Sequence, residues 1–333
     1  RLLCVQNTYF LESVEGQAYI VLIGMKRISL IIPCLNEEQA IPEFKKEVDR
    51  VFSEHLNGYE RELIFVDDGS TDHTLQTIKD LTAESPEIRF ISFSRNFGKE
   101  AAIYAGLEAA TGDYAAVMDV DLQDPPSLLP DMLAAIEEEG YDCAGTRRTT
   151  REGEPALRSF FARAFYKTIN RISDTHIVDG ARDYKLMTRP VLEALLSLKE
   201  YNRFSKGLYE WVGFRTKWFE YENVERVAGK TKWSFFKLFL YSIEGIVAFS
   251  TVPLALASII GVMLSLISFL SIIVLMVREL IWHHSAYGWT SMVCIFCLMG
   301  GIILLCLGIL GQYLAKTYTE VKRRPIYIAR ERS

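Results

Sequence analysis

Two long uncharged apolar runs, Ile246 to Val277 and Trp289 to Leu314, constrain this chain more than any other feature. Each exceeds the ~20 residues that a helix needs to cross a bilayer core. The link between them, "RELIWHHSAYG", is too short for a domain. Together they predict a transmembrane hairpin, helix 246–277 followed by helix 289–314, with both ends on one side. Lysine and arginine in "KTKWSFFK" before the hairpin and "KTYTEVKRR" after it assign that side, and the tail 315–333, to the cytoplasm. The competing expectation is a pair of buried core helices, which suits uncharged runs of this length poorly.

Upstream of about Tyr241 the chain reads as a mixed soluble protein. The net charge of −5 argues against nucleic acid as a partner. Six cysteines show no disulfide framework, and the Cys294/Cys297 pair lies inside an apolar run, where packing is its expected role. Residues 1–24 contain no methionine and no adequate signal or spanning segment, whereas Met25 opens "MKRISLIIPCLNEE". The first 24 residues are therefore expected to be an upstream extension, with no function assigned, and the catalytic-looking domain to run over 25–230.

From Ile28 onward, short apolar runs ("ISLIIP", "ELIFVDD", "IRFISFS", "YAAVMDVD") alternate with helix-period stretches. This pattern predicts an α/β domain, a mainly parallel sheet covered on both faces, with Pro33 and Pro125-Pro126 ending strands. Ligands of such sheets bind beyond the carboxyl ends of the strands. The polar clusters "PCLNEE", "DDGS" and "DVDLQD" all fall there. Two basic, aromatic stretches, about 157–172 and 231–245, have the composition of helices lying in a membrane interface; the alternative is a core helix with a solvated face.

On an extended strand Asp119, Asp121 and Gln123 face one way, about 6.6 Å apart. Carboxylates so placed repel each other unless a cation lies between them, and oxygen donors favour Mg2+ or Mn2+. A lone DxD is also what a solvated strand end with chance acids would show, but a second acidic cluster, Asp67-Asp68-Gly69-Ser70, ends a neighbouring strand. Carboxylates there suit a nucleoside, with Gly69 allowing close backbone approach. Neither a P-loop nor a GxGxxG is present.

"SLIIPCLNEE", "LIFVDDGSTD", "SRNFGKEAAIYAG", "DVDLQDPP", "RDYKLM", "NRFSKGLYEWVGF" and "RVAGKTKWSFFKLF", in this order, resemble the family-2 inverting glycosyltransferases. More narrowly they resemble polyprenyl-phosphate glycosyltransferases of the bactoprenol glucosyltransferase type, relatives of dolichol-phosphate mannose synthase. The resemblance implies a GT-A, Rossmann-like fold with Pro33, Asn36, Glu37, Asp67, Asp68 and Lys99 around the nucleotide-sugar. It implies a metal–diphosphate at Asp119, Asp121 and Gln123, and catalytic roles for Asp183, Asp121 and Arg182. Arg147, Arg148, Arg151 and Arg158, with Arg226, Lys230 and Lys232, would receive the acceptor or its phosphate. The QxxRW signature of processive synthases is absent, so a single transfer is expected.

The implied reaction moves one hexose, glucose by preference, from a UDP-sugar to undecaprenyl phosphate at the cytoplasmic membrane face. A lipid monophosphate is mostly dianionic at neutral pH and needs little help from a base, so Asp183 acts either as a base or as an orienting group. Other donors (N-acetylglucosamine, mannose or an aminoarabinose derivative), a synthase extending a glycan, and a non-catalytic nucleotide-binding scaffold or flippase subunit are the alternatives. The hairpin is expected to pack against copies of itself in a homo-oligomer.

Overall fold

The computed structural model describes residues 9–14, 17–22, 24–148, 170–171, 178, 180–221, 247, 250–282 and 288–333. Strands β1 (Tyr9–Val14) and β2 (Gln17–Leu22), in the N-terminal extension, form an antiparallel hairpin. The apolar runs of the next segment become β3 (Arg27–Cys34), β4 (Glu60–Asp67), β5 (Ile88–Phe93) and β6 (Tyr114–Val117), paired in parallel in the order β5-β4-β3-β6. Helices α1 (Ala40–His55), α2 (Thr74–Glu84) and α3 (Lys99–Ala109) make the crossovers.

These strands are apolar on both faces because both faces are covered. Ile28, Leu30 and Ile32 of β3 join Phe44, Val48 and Val51 of α1 in one core layer. Ile31 joins Ala102 and Ala105 of α3 in the other. There α3 lies so close that a Cβ on Gly106 would come within 2.2 Å of Ile31 Cγ2.

The second half of the sheet is built by α4 (Leu129–Glu137), β7 (Cys143–Arg148), β8 (Ala181–Thr188), α5 (Arg189–Ser197), α6 (Ser205–Trp211) and β9 (Thr216–Tyr221). Strand β8 runs antiparallel between β6 and β7, and β9 pairs in parallel with β7. With β10 (Ala329–Arg332) antiparallel on β5, the full order is β10-β5-β4-β3-β6-β8-β7-β9. Because β8 is antiparallel, its start lies beside the end of β6; Val117 pairs with Lys185, so Arg182 and Asp183 project past the paired segment. The last residues of β7 and β9, Arg148 and Tyr221, pair at the same sheet edge.

Two local expectations are corrected. Pro33 does not end β3: it lies inside the strand, opposite Val66. Its missing N–H is harmless because β6 leaves β3 after Ile31–Val117. Residues Asp119 to Gln123 are not extended strand; β6 stops at Val117 and a turn follows, with Leu122 at φ 56°. The alternating geometry read for the DxD therefore gives way to a turn. The C-terminal residues 315–333 comprise the end of the second apolar helix, Trp289–Val321, and β10, which pairs with β5.

The apolar runs form α7 (Val252–Trp282) and α8 (Trp289–Val321), both long and apolar enough to cross a membrane. Phe269, Phe296 and Leu304 are 63%, 78% and 70% exposed, so these are not the core helices of the competing expectation. Both helices run past the C-terminal ends of the uncharged segments, because backbone hydrogen bonding does not stop where charge begins, while α7 starts at Val252 rather than at Ile246. They are tied together where Tyr313 Oη donates to the Ser250 carbonyl at 2.5 Å.

Candidate active site

The carboxyl ends of β3, β4 and β6 and the start of β8 bring three groups of side chains to one edge. In the first, Lys99 opens α3 and its ammonium bridges two carboxylates, Asp119 Oδ1 at 2.6 Å and Asp183 Oδ2 at 2.5 Å. Burial alone would lower the lysine pKa, but the two carboxylates overcome it and hold the ammonium above its ordinary value. Burial would likewise raise Asp183; Lys99, Lys206 and Arg182 reverse that and hold it well below the usual carboxylate range.

The second group is the turn itself. Asp121 Oδ1 accepts the Gln123 N–H at 3.2 Å, and Gln123 Oε1 accepts from Arg148 Nη2 at 3.2 Å. Asp124 follows, buried, and accepts from Arg182 Nε at 2.9 Å and from the Tyr221 hydroxyl.

The third group surrounds the end of β4. Asp67 accepts from Ser70 N at 3.0 Å and Ser92 Oγ at 2.8 Å. Asp68 accepts from Phe97 N at 2.6 Å and Gly98 N at 3.0 Å, while burial raises its pKa. Asn36, at φ 54°, donates its N–H to Ser70 Oγ at 2.9 Å and accepts from Thr71 N at 2.8 Å. The Glu37 N–H reaches Thr74 Oγ1 at 2.8 Å. The two adjacent aspartates thus fix the β4 and β5 loops against each other, and Asn36 joins the same lattice.

Of the arginines expected near an acceptor, Arg147 pairs with Glu220 and Arg148 sits on Gln123. Arg151, Arg158, Arg226, Lys230 and Lys232 lie outside the described residues, as do both expected interfacial stretches apart from Asn170 and Arg171. Sequence reasoning passed over Asp124 and Tyr221, and also the Glu100–Ser205 pair. Glu100, next to Lys99, accepts from Ser205 N at 3.0 Å and from its hydroxyl, anchoring the start of α6 beside the site. The signal for Asp124 was present as the last acid before Pro-Pro; Glu100–Ser205 is a tertiary contact with no local signature.

A model of glycosyl transferase family 2 matches residues 29–196. The chain belongs to glycosyl transferase family 2. It is 43% identical over 304 residues to the putative glycosyltransferase CsbB of Bacillus subtilis, covering 91% of each chain. It is 40% identical over 302 residues to the prophage bactoprenol glucosyl transferase homolog of Escherichia coli, covering 91% of this chain and 98% of that one. The bactoprenol glucosyl transferase of Shigella phage SfII is 40% identical over 305 residues, covering 92% and 98%. Among solved structures, the mannosyltransferase PcManGT of Pyrobaculum calidifontis, in complex with GDP-Man and Mn2+, overlaps 62% of this chain and 59% of its own at 18% identity and a TM-score of 0.43, a partial overlap that carries no argument.

In this glycosyltransferase the mixed, mainly parallel sheet with its site at the strand ends is the GT-A arrangement. Among the described residues no group of three or more His, Cys, Asp or Glu is placed to hold a metal ion by itself. Asp119 and Asp121 supply two carboxylates on one turn. That donor set fits Mg2+ or Mn2+, which are commonly held by one or two carboxylates together with the phosphate oxygens of a substrate. Gln123, with its amide oxygen on Arg148, stands beside them.

Proposed function

We propose that this glycosyltransferase transfers a single glucose, with inversion, from UDP-glucose to a polyprenyl phosphate at the cytoplasmic face of a membrane. The observation that carries the reading is the near full-length likeness, 40% identity over 91% of the chain, to proteins named for bactoprenol glucosyl transfer. A match of that extent cannot leave out both α7 and α8, so at least part of the apolar hairpin belongs to the likeness.

On this reading α7 and α8 span the bilayer, and the site edge faces the headgroups from which a lipid phosphate emerges. Asp67, Asp68, Asn36, Glu37 and Pro33 shape the nucleoside end of the donor pocket. Asp119 and Asp121, with Gln123, would hold the divalent ion, which when bound would stabilise charge on the departing diphosphate. Lys99 and Arg182 supply fixed positive charge to the same end of the reaction. Arg147, Arg148, Arg151, Arg158, Arg226, Lys230 and Lys232 are candidates for the acceptor phosphate.

Asp183, held ionised by Lys99 and its other cationic neighbours, is a weak proton acceptor. A dianionic phosphate nucleophile asks for none. The role assigned to Asp183 is therefore orientation of Lys99 and the sugar rather than proton removal.

The test is transfer of labelled sugar into an organic-extractable product by the purified full chain, with undecaprenyl phosphate, a panel of UDP- and GDP-sugars, and EDTA controls. Metal-dependent lipid labelling from UDP-glucose alone is the expected result. Labelling from another donor would correct the sugar, and saccharide products without lipid product would overturn the acceptor.

A further inference from the structure

The buried aspartate at the end of "DVDLQDPP" has no part in the roles assigned above. Asp124 is 1% exposed, and burying a carboxylate is costly unless it is paired and fully hydrogen-bonded. It is: Arg182 Nε lies 2.9 Å from Oδ1 and 3.3 Å from Oδ2, and the Tyr221 hydroxyl donates to Oδ1. The three residues come from three elements: Asp124 from the turn after β6, Arg182 from the start of β8 and Tyr221 from the end of β9.

The manner of pairing matters. A guanidinium has five N–H donors, and carboxylates commonly engage two in parallel. Here both Asp124 oxygens sit on the single Nε–H, and the two amino groups of Arg182 make no hydrogen bond among the described residues. The side chain is 22% exposed, whereas Asp124 is fully enclosed. Asp119, the carboxylate that Lys99 neutralises, is near enough for its charge to act on the guanidinium. Among the described residues, Arg182 thus has its stem held through Nε and its two amino groups left without a hydrogen bond.

The geometry points to Asp124 as a positioning residue: it grips Arg182 by Nε, with Tyr221 fixing the carboxylate, so that the four remaining N–H groups meet the diphosphate of the donor. Without Asp124 the guanidinium is left with Asp119, the other carboxylate whose charge acts on it and one assigned above to the metal. This inference rests on the donor being a nucleoside diphosphate sugar and does not depend on the acceptor.

The experiment is a double-mutant cycle on the full chain, D124A, R182A and the double variant, read by calorimetric titration of UDP and GDP in the presence of Mn2+. Thermal unfolding of each variant is recorded, with D124N as the conservative control. If Asp124 acts through Arg182, each single variant weakens the wild-type ligand about tenfold and the double variant is no weaker than the worse single. D124N, which keeps an acceptor oxygen for Nε, falls in between. Added guanidinium restores tight binding to R182A and does nothing for the double variant, because the slot formed by Asp124 is gone.

Losses that multiply, equal rescue of both backgrounds, or R182A binding like wild type would overturn the proposal. So would D124N matching wild type while D124A loses affinity only in proportion to unfolded protein. A wild-type chain that binds nucleoside diphosphate but labels no lipid would sink the lipid-phosphate reading and leave this one intact; binding of neither diphosphate would sink both.

Discussion

Asn202 and Glu320 are joined by two hydrogen bonds, from the Asn202 backbone N–H and from Nδ2, both 3.0 Å long. One belongs to the loop before α6, the other to the last turn of the long apolar helix α8. Tyr201 N also donates to the same carboxylate at 3.1 Å, and Lys316 Nζ reaches Asn202 Oδ1 at 3.1 Å. A few residues on, Ser205 is locked to Glu100, the neighbour of Lys99. The apolar hairpin is therefore tied to the element that carries the site lysine, and beyond α8 the chain continues into β10 on the same sheet.

Glu320→Ala removes the acceptor shared by these donors. Hydrogen bonds to charged groups contribute more than neutral ones, and partial exposure discounts them, so a loss of about 1–2 kcal/mol is expected. Hydrogen exchange of residues 198–206 should accelerate, while the strands β3 and β4 keep their protection. Unchanged exchange in that loop would mean that the junction is not what holds it.

Gly69 sits at φ +70°, and a Cβ there would lie 2.6 Å from the Arg95 carbonyl carbon and 2.7 Å from Asn96 N. Both neighbours are backbone and cannot swing aside. Gly69→Ala combines left-handed strain with that collision and should cost more than about 2 kcal/mol. The same change at Gly58, where nothing lies within 4 Å, should be near neutral. Denaturant midpoints of the two variants compare them directly.

The difference between those two glycines was only partly legible in the sequence. "DDGS" after an apolar run announced a turn at a strand end, and the parallel strands β3 to β6 announced themselves because a strand buried on both faces has nothing but apolar residues to show. The convergence of Asn36, Asp67, Asp68 and Asp119 on one edge followed from that. What escaped depends on chain segments far apart. The insertion of β8 between β6 and β7, and of β10 onto β5, leaves no local pattern, since four to eight residues of mixed polarity serve as strand or loop according to what pairs with them. The turn at 118–124 relies on Leu122 in a left-handed conformation, which no composition rule would assign to leucine. Asp124 was passed over because its partners, Arg182 and Tyr221, lie far along the chain.

The pH dependence follows from the directions of two shifts. Asp183 has a folded pKa below its unfolded value, so its contribution to stability is complete above about pH 4 and is lost as pH falls through the depressed folded value. Lys99 has a folded pKa above its unfolded value, so its contribution is present below about pH 10 and is lost only in stronger alkali. Neither group changes charge between about pH 5 and 9. If the acceptor is a lipid phosphate, kcat should fall on the acid side near the second phosphate pKa, about 6. An Asp183→Asn variant should be slower at every pH and should keep the same acid limb. Disappearance of the limb in that variant would restore Asp183 as the base.

Lys99 stands between Asp119 and Asp183, and its removal has two consequences of opposite sign. With Lys99→Met the two carboxylates lose their shared cation, and Asp119 no longer has an ammonium 2.6 Å away competing with a metal ion for the same oxygen. Binding of Mn2+ to the protein without nucleotide, followed by the loss of its free-ion electron paramagnetic resonance signal, should therefore tighten. Turnover should move the other way. If the ammonium helps carry the charge that develops on the diphosphate, deleting it costs on the order of 100-fold in kcat, as loss of a fixed electrostatic donor does elsewhere. Lys99→Arg, which keeps the charge but not the compact geometry that fits between two carboxylates, should lie between. A variant that binds Mn2+ more tightly and turns over at the wild-type rate would reduce Lys99 to a counter-ion that merely fills the place of the metal.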